Sequence, residues 1–218
     1  MPFRPLARRL LVAGLAASPL LAGCQSAYYE AMEWVGREKR DLLRSELTGM
    51  VGDQEDAEEA FGDALTRVQA LTAFDGGDLE REYDLLKSAY EDSVDAVSDI
   101  DSRMDEIETV SADLFAEWER EIGEIETPSL QASSRSKLRD TQARYDRMHA
   151  SLARTRASMD PALSLLNDHV LYLKHNLNAA AVGALGDEMR DIENEIEELR
   201  RSIQQSITEA QRFLEVLP

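Results

Sequence analysis

The chain contains few of the residues on which small-molecule chemistry usually depends. Its 218 residues include one cysteine and three histidines, and 6% are aromatic. A single cysteine excludes an internal disulfide and a thiolate metal cage. The sequence also lacks a Gly-Lys dipeptide and the motifs G-x-G-x-x-G, G-x-S-x-G and H-E-x-x-H. Nucleotide-binding, serine-hydrolase and zinc-protease functions therefore lack their required residues, and we expect no enzyme, no cofactor and no metal site.

Positive charge is also scarce. Lys and Arg number 24 against 43 Asp and Glu, which gives a formal net charge of −19 and a sequence pI near 4.5. Nucleic-acid binding depends on neutralising phosphates with basic side chains, so this balance predicts no nucleic-acid partner.

The first two dozen residues have the composition of an export signal. Arg4, Arg8 and Arg9 precede an uncharged apolar run over residues 10–21. That order of a basic and then an apolar region is typical of a signal peptide. The run is shorter than the roughly 20 residues that a membrane-spanning helix needs.

The end of this run carries a second motif, because Leu21-Ala22-Gly23-Cys24 resembles a bacterial lipobox. The resemblance implies that residues 1–23 are a cleaved lipoprotein signal peptide and that Cys24 is lipidated. Gln25, where an aspartate would favour the inner membrane, implies the periplasmic face of the outer membrane. Two or more acyl chains would form a stable anchor. The alternative is an ordinary signal peptide followed by an unrelated cysteine.

Residues 24–218 predict a single all-α domain. Apolar or small residues recur at alternating spacings of four and three, which is the heptad pattern of packed helices. In the first helix this seam consists of Leu43, Leu47, Met50, Gln54, Ala57, Phe61, Ala64, Val68 and Leu71. We expect an elongated antiparallel bundle or coiled coil of four long helices, at about 27–73, 79–126, 130–182 and 187–216.

The breaks between helices follow from glycine and proline. Gly76-Gly77 predicts a turn that pairs the first two helices, and Thr127-Pro128 ends the second. Pro161 lies inside the third seam. Since the apolar phase continues across it, we favour one helix kinked at Pro161 over two separate helices.

A basic island, defined here as residues 135–156, interrupts the acidic sequence. Its candidate partner-binding residues are Arg139, Arg144, Arg147 and Arg154. The simpler interpretation is that the island pairs with acidic residues on the second helix and fixes the bundle register. The alternative is that it docks an anionic partner such as a lipid head group, a polysaccharide or an acidic protein face.

A second unusual segment, residues 167–178, is rich in histidine and asparagine. Its candidate sensing residues are His169, His175, Asn176 and Asn178. The simpler interpretation is helix capping and interhelical hydrogen bonding near a turn. The alternative is a pH- or ligand-sensing patch at the end of the bundle, because histidine titrates near neutral pH.

Three blocks of sequence resemble one protein family. They are YYxAMExVGxxKRD from residue 28, EWxxEI from residue 117 and LYLKHNLNA from residue 171. They are similar to a proteobacterial family of coiled-coil lipoproteins classified as a domain of unknown function. The resemblance implies an envelope protein without an assigned activity, cofactor or partner.

Together these patterns predict a lipid-anchored, non-catalytic structural or adaptor protein of the cell envelope. Its expected partners are the membrane, through the lipid at Cys24, and envelope proteins whose identity the sequence does not give. Long heptad seams also permit self-association. The alternative function is a periplasmic sensor or chaperone-like binding module that uses residues 167–178 or a groove of the bundle.

Overall fold

The computed structural model describes residues 39–73, 78–178 and 189–217. These residues form five α-helices and, within those ranges, no strand. The helices are α1 (Lys39–Thr72), α2 (Leu79–Glu124), α3 (Pro128–Ala157), α4 (Met159–His175) and α5 (Met189–Val216). The longest, α2, has 46 residues and is therefore about 70 Å long.

The five helices pack as an antiparallel four-helix bundle, with α3 and α4 following each other along one edge. Helix α1 contacts α2 and α5, and the α3–α4 edge contacts the same two neighbours. Gln54 of α1 bonds to Ser206 of α5, and Gln69 bonds to Glu193. Because the residue number rises in one helix while it falls in the other, the pair is antiparallel. The prediction of an all-α bundle is confirmed.

The bundle has two distinct ends. The base, as we call it, contains the N-terminal end of α1 and the C-terminal end of α5. There Arg44 donates hydrogen bonds to the backbone oxygens of Leu214 and Leu217, at 3.0 and 2.9 Å. The opposite end, the tip, contains the end of α4 and the start of α5.

The heptad seam of α1 is buried at every predicted position, including the polar residue Gln54. Burying one apolar stripe of a helix against its neighbours is what stabilises such a bundle, since each fully buried Leu or Phe contributes about 1.5–3 kcal/mol. The seam of α5 is likewise buried from Ile192 to Phe213. The heptad pattern thus predicted the core residues of α1 and α5. In α2 it did so only in part, because the predicted residues Tyr83, Met104 and Trp118 are half-buried.

The α1–α2 register agrees with a turn at Gly76-Gly77. Lys39 forms an ion pair with Glu117 at 2.6 Å, and Arg103 pairs with Glu46 and Asp53. These partners lie at similar sequence distances on either side of the turn. The two glycines themselves lie outside the described residues.

The favoured interpretation of the third helix needs correction. The described part of the predicted helix, up to residue 178, is not continuous through Pro161: α3 ends at Ala157 and α4 begins at Met159, with Ser158 between them. A proline ring clashes with the carbonyl of the residue four positions earlier, which here is Ala157. The break therefore falls one turn ahead of the proline. Pro161 itself lies in the first turn of α4, where a missing N–H removes no helical hydrogen bond.

Helix α4 also ends earlier than predicted, at His175. Asn176 leaves the helical conformation, with φ −134° and ψ 45°, and its side-chain amide donates to the carbonyl of Tyr172 at 2.9 Å. This side chain satisfies a carbonyl that the next helical turn would otherwise bond. Residues 1–38, including Cys24, and 179–188 lie outside the described residues, as do the parts of the predicted helices that fall there.

An aromatic cluster joins three helices in the basal half of the bundle. Tyr145 of α3 contacts Phe115 of α2 and Phe213 of α5, with ring centroids 5.5 and 6.0 Å apart. His149 stacks on the same tyrosine at 5.6 Å. Burial raises the pKa of Tyr145 above its usual value. The cluster fixes α3 between α2 and α5.

Candidate functional site

The four candidate arginines of the basic island all lie exposed on α3. They are Arg139, Arg144, Arg147 and Arg154. In the stretches of chain that the structure describes, none of these four guanidinium groups forms an ion pair. Arg147 and Arg154 are seven residues apart, so they occupy the same side of the helix, with a rise of about 10 Å between them.

Other members of the island pair with α2, as the simpler interpretation predicts. Arg156 bonds to Asp101 at 2.6 Å, His149 to Glu108 at 2.7 Å, and Arg135 lies 3.9 Å from Glu119. The hydrogen bond to Asp101 raises the pKa of Arg156 above its usual value. These basic residues lie on the side of α3 that faces α2. The island is therefore divided between a paired side and an exposed side.

On the exposed side of α3, an open groove of about 640 Å³ lies between α3 and α5. Arg147 and Arg154 contribute from α3, and Arg212 contributes from α5. The remaining lining residues are Ala150, Ser151, Gln204, Gln205, Thr208 and Glu209. We call this the arginine groove. Its single carboxylate, Glu209, contacts Arg212 at 2.5 Å, so the groove carries a net positive charge.

Arg147 and Arg154 are among the candidate partner-binding residues predicted from the sequence, whereas Arg212 is not. The spacing within α5 holds a signal, because Gln205, Thr208 and Arg212 recur at three and four residues and therefore share one face. That spacing does not say which helix lies opposite. Only the packing of α5 against α3 places Arg212 beside the two arginines of the basic island.

A second charged cluster lies between α1 and α2. The guanidinium of Arg103 donates to Asp53 at 2.5 Å and to Glu46 at 2.8 Å, which raises the arginine's pKa above its usual value. A Cβ atom on Gly49 would lie 2.6 Å from this guanidinium. Glycine at this position therefore provides the space in which Arg103 crosses α1.

The same cluster perturbs a further carboxyl group, that of Glu106. A hydrogen bond with Glu46 is the main cause that raises the pKa of Glu106, and burial adds to it. The positive charge of Arg103 acts in the opposite direction. Glu106 thus holds a proton more readily than an isolated carboxyl group does.

The face between α2 and α3 contains a shallow acidic depression of about 490 Å³. Its carboxylates are Asp101, Asp105, Glu108 and Asp160. Arg156 lies among them and bonds to both Asp101 and Asp160. The arginine thus already occupies the depression as a counter-ion. Within residues 39–73, 78–178 and 189–217, no group of three His, Cys, Asp or Glu side chains has the arrangement of a metal site.

The histidine- and asparagine-rich segment is divided by the structure. His169 is 2% exposed and lies in the core, where its Nδ1 donates to the carbonyl of Leu165 at 2.9 Å. Its other ring nitrogen, Nε2, is buried and has no hydrogen-bond partner among the described residues. His175, Asn176 and Asn178 are exposed at the tip. The four candidate sensing residues therefore do not share one surface.

The tip also exposes large apolar side chains, namely Leu171, Tyr172 and Leu177, at 49%, 40% and 39% of their surface. Elsewhere in the described helices, residues of this size are mostly buried. No helix within these described ranges is both long and apolar enough to cross a membrane.

Comparison with known proteins identifies the family. A family model described as "Protein of unknown function (DUF2959)" matches residues 28–217. The chain belongs to the DUF2959 family. The resemblance inferred from the three sequence blocks is thereby confirmed. No curated protein matches the chain. DUF2959 membership covers all five helices, and both the arginine groove and the Arg103 cluster lie within the matched region.

Proposed function

We propose that this DUF2959 protein is a lipid-anchored, non-catalytic structural or adaptor component of the cell envelope. The observation that carries the proposal is the lipobox-like Leu21-Ala22-Gly23-Cys24 sequence, which precedes the five packed helices. In this proposal, lipidation of Cys24 holds the bundle on the periplasmic face of the outer membrane.

The bundle suits a structural role because its apolar core extends along the helices and its exposed helix faces are polar. Buried apolar residues extend along α1 from Leu43 to Leu71 and along α5 from Ile192 to Phe213. Continuous packing over such lengths makes a stiff body. Its exposed helix faces carry charges that are available to partners, and the described residues bring together no set of groups that resembles a catalytic site.

The connection to the anchor favours the base as the membrane-proximal end. Lys39, the first residue of α1, lies 15 positions after Cys24 in the sequence. We expect the tip, at the far end of α1, to extend away from the membrane. Partners in the periplasm would then meet the tip and the long helix faces.

A Cys24→Ser substitution tests the anchor. We expect the wild-type protein to sediment with outer-membrane vesicles and to incorporate a labelled fatty acid, and the variant to lose both properties while keeping its helical circular dichroism spectrum. Gln25→Asp serves as the matched control, because it should move the protein to the inner membrane without preventing lipidation. A wild-type protein that incorporates no label would refute the proposal.

In-cell photo-crosslinking tests the adaptor role. A photoreactive amino acid at His175 reports on the tip, and one at Arg139 reports on the basal half of α3; both side chains are exposed. A defined envelope protein captured at either position supports an adaptor. If neither position captures a protein and the deletion strain has a normal envelope, the adaptor role is wrong.

The tip favours a second candidate function, a periplasmic binding module. Leu171, Tyr172 and Leu177 are exposed close to His175 and Asn176. Exposed apolar groups beside polar ones are typical of binding surfaces. A ligand for this surface would raise the unfolding temperature, and Tyr172→Ser should remove that increase.

A further inference from the structure

We propose that the arginine groove between α3 and α5 binds a phosphorylated ligand, which Arg147, Arg154 and Arg212 would hold. This inference deepens the proposed function. It rests on that function only if the phosphate belongs to a lipid head group. A soluble phosphate compound would need no anchor.

The charge balance of the groove is the first argument. The whole chain has nearly twice as many acidic as basic residues, yet this groove has three guanidinium groups and one carboxylate. Arg147 and Arg154 form no ion pair with any described residue, whereas Arg156 on the other side of α3 has two carboxylate partners. Like charges around a groove repel one another, so a bound anion would relieve that repulsion.

The chemistry of the lining is the second argument. A guanidinium group presents paired N–H donors that match the oxygens of a phosphate. Ser151, Gln204, Gln205 and Thr208 add neutral hydrogen-bonding groups, which suit the hydroxyl groups or ester oxygens that commonly accompany phosphate. A volume of about 640 Å³ is within the range of small-molecule sites.

The lack of large apolar side chains in the lining argues against an acidic protein helix as the occupant. A helix that docks in a groove needs apolar side chains to pack against. Ala150 is the only apolar residue among those that line this groove. The groove therefore favours a small, hydrated, oxygen-rich ligand.

The position of the groove is compatible with a membrane lipid. Arg212 lies near the C-terminal end of α5, and the carbonyls of the nearby residues Leu214 and Leu217 accept hydrogen bonds from Arg44. The groove thus begins near the base, where α1 starts, 15 residues after Cys24 in the sequence.

Direct titration tests the site on the full lipoprotein in nonionic detergent. The probes are inorganic pyrophosphate and a soluble short-chain phosphatidylglycerol. We expect saturable binding of at least one probe, and the triple variant Arg147→Gln, Arg154→Gln, Arg212→Gln should weaken it at least tenfold. Binding of pyrophosphate alone identifies a soluble phosphate compound, whereas tighter binding of the lipid identifies a head group.

The matched control is Arg81→Gln, Arg120→Gln, Arg190→Gln. It removes the same charge from exposed positions outside the groove and should change the affinity less than twofold. Replacing the three groove arginines with lysine keeps the charge but loses the paired donors, so an intermediate loss is expected. If the triple glutamine variant loses helical content, Arg212→Gln alone, at an exposed position, replaces it.

Two results would overturn the proposal. One is that the wild-type protein binds neither probe. The other is an equal loss of affinity in the groove and control variants, which would show general charge attraction. Neither result bears on Cys24: lipid labelling can succeed while the groove fails, and pyrophosphate can bind even if the lipid label is absent.

Discussion

Gly49 allows a direct test of the Arg103 cluster. Replacing a glycine inside a helix with alanine normally stabilises a protein by about 0.5–1 kcal/mol, because the unfolded chain loses freedom. At Gly49 the new methyl group would lie 2.6 Å from the guanidinium of Arg103. We expect the arginine to move away and to lose its bonds to Glu46 and Asp53.

The magnitude follows from the burial of these groups. The Arg103 side chain is 30% exposed, and its two partners are 16% and 17% exposed. Ion pairs in such a partly buried setting contribute more than surface pairs, about 1 kcal/mol each. Loss of both would exceed the gain from alanine, so Gly49→Ala should destabilise the protein by about 1 kcal/mol.

Gly52 supplies the matched control, because it lies in the same helix and a Cβ atom there would meet nothing within 4 Å. We expect Gly52→Ala to stabilise the protein by about 0.5–1 kcal/mol. The two variants should then differ by about 2 kcal/mol, or roughly 4–8 °C in Tm for a chain of this size.

Urea denaturation in an Arg103→Met background completes the cycle. Without the guanidinium group, Gly49→Ala should stabilise the protein as much as Gly52→Ala does, which would give a coupling energy of about 2 kcal/mol. If Gly49→Ala already stabilises the wild-type protein to the same extent as Gly52→Ala, the cluster does not need the space at Gly49 and the reasoning fails.

Two further variants test other polar contacts. Because the pKa of Glu106 is raised in the folded state, mainly by its hydrogen bond with Glu46, its stabilising contribution is full at acid pH and is lost as the pH rises through that pKa. Wild-type stability relative to Glu106→Gln should therefore increase on acidification from pH 7, and urea midpoints that keep a constant difference would contradict this. Gln54 donates to Ser206 in the core at 2.9 Å, but its buried Oε1 atom has no partner in the described part of the chain. Ser206→Ala alone should cost about 1–3 kcal/mol in urea denaturation, while Ser206→Ala with Gln54→Leu should restore stability; a double variant as unstable as the single one would disprove this.

The core residues of α1 could be predicted from the sequence because a heptad pattern depends only on local spacing. The seam from Leu43 to Leu71 is buried as predicted, and so is the polar residue Gln54. The position of the helix break was predicted wrongly, because the ring of Pro161 conflicts with the carbonyl of Ala157, one turn earlier. Helix geometry places the break there, but the apolar residues keep their spacing across it and so give no sign of it.

It was harder to predict which charged side chains form ion pairs, because this depends on which neighbouring helix each side chain faces. Arg154 and Arg156 are two residues apart in the sequence, yet one lines the arginine groove and the other pairs with Asp101. Positions two apart on a helix point in different directions. Pairing with α2 therefore accounts for one side of α3 only, and the docking of an anionic partner stays a prediction for the other side.

This division leads to a final prediction, about why Arg147 and Arg154 have no carboxylate partner among the described residues. Helix α5 is rich in acidic residues near its start, but Gln204, Gln205 and Thr208 stand where it faces Arg147 and Arg154. A carboxylate at Gln205 would supply an internal counter-ion. We expect Gln205→Glu to raise the free energy of unfolding by up to about 1 kcal/mol and to weaken pyrophosphate binding.

Gln211→Glu is the control, because it adds the same charge at an exposed position on α5 outside the groove lining. It should change neither the unfolding midpoint nor the affinity appreciably. Like charges in a binding site often repel one another even though a single substitution would remove that repulsion. The repulsion is retained because the ligand supplies the opposite charge. If Gln205→Glu and Gln211→Glu behave alike in both measurements, the neutral residues of α5 have no role in anion binding, and the positive charge of the groove is only a by-product of helix packing.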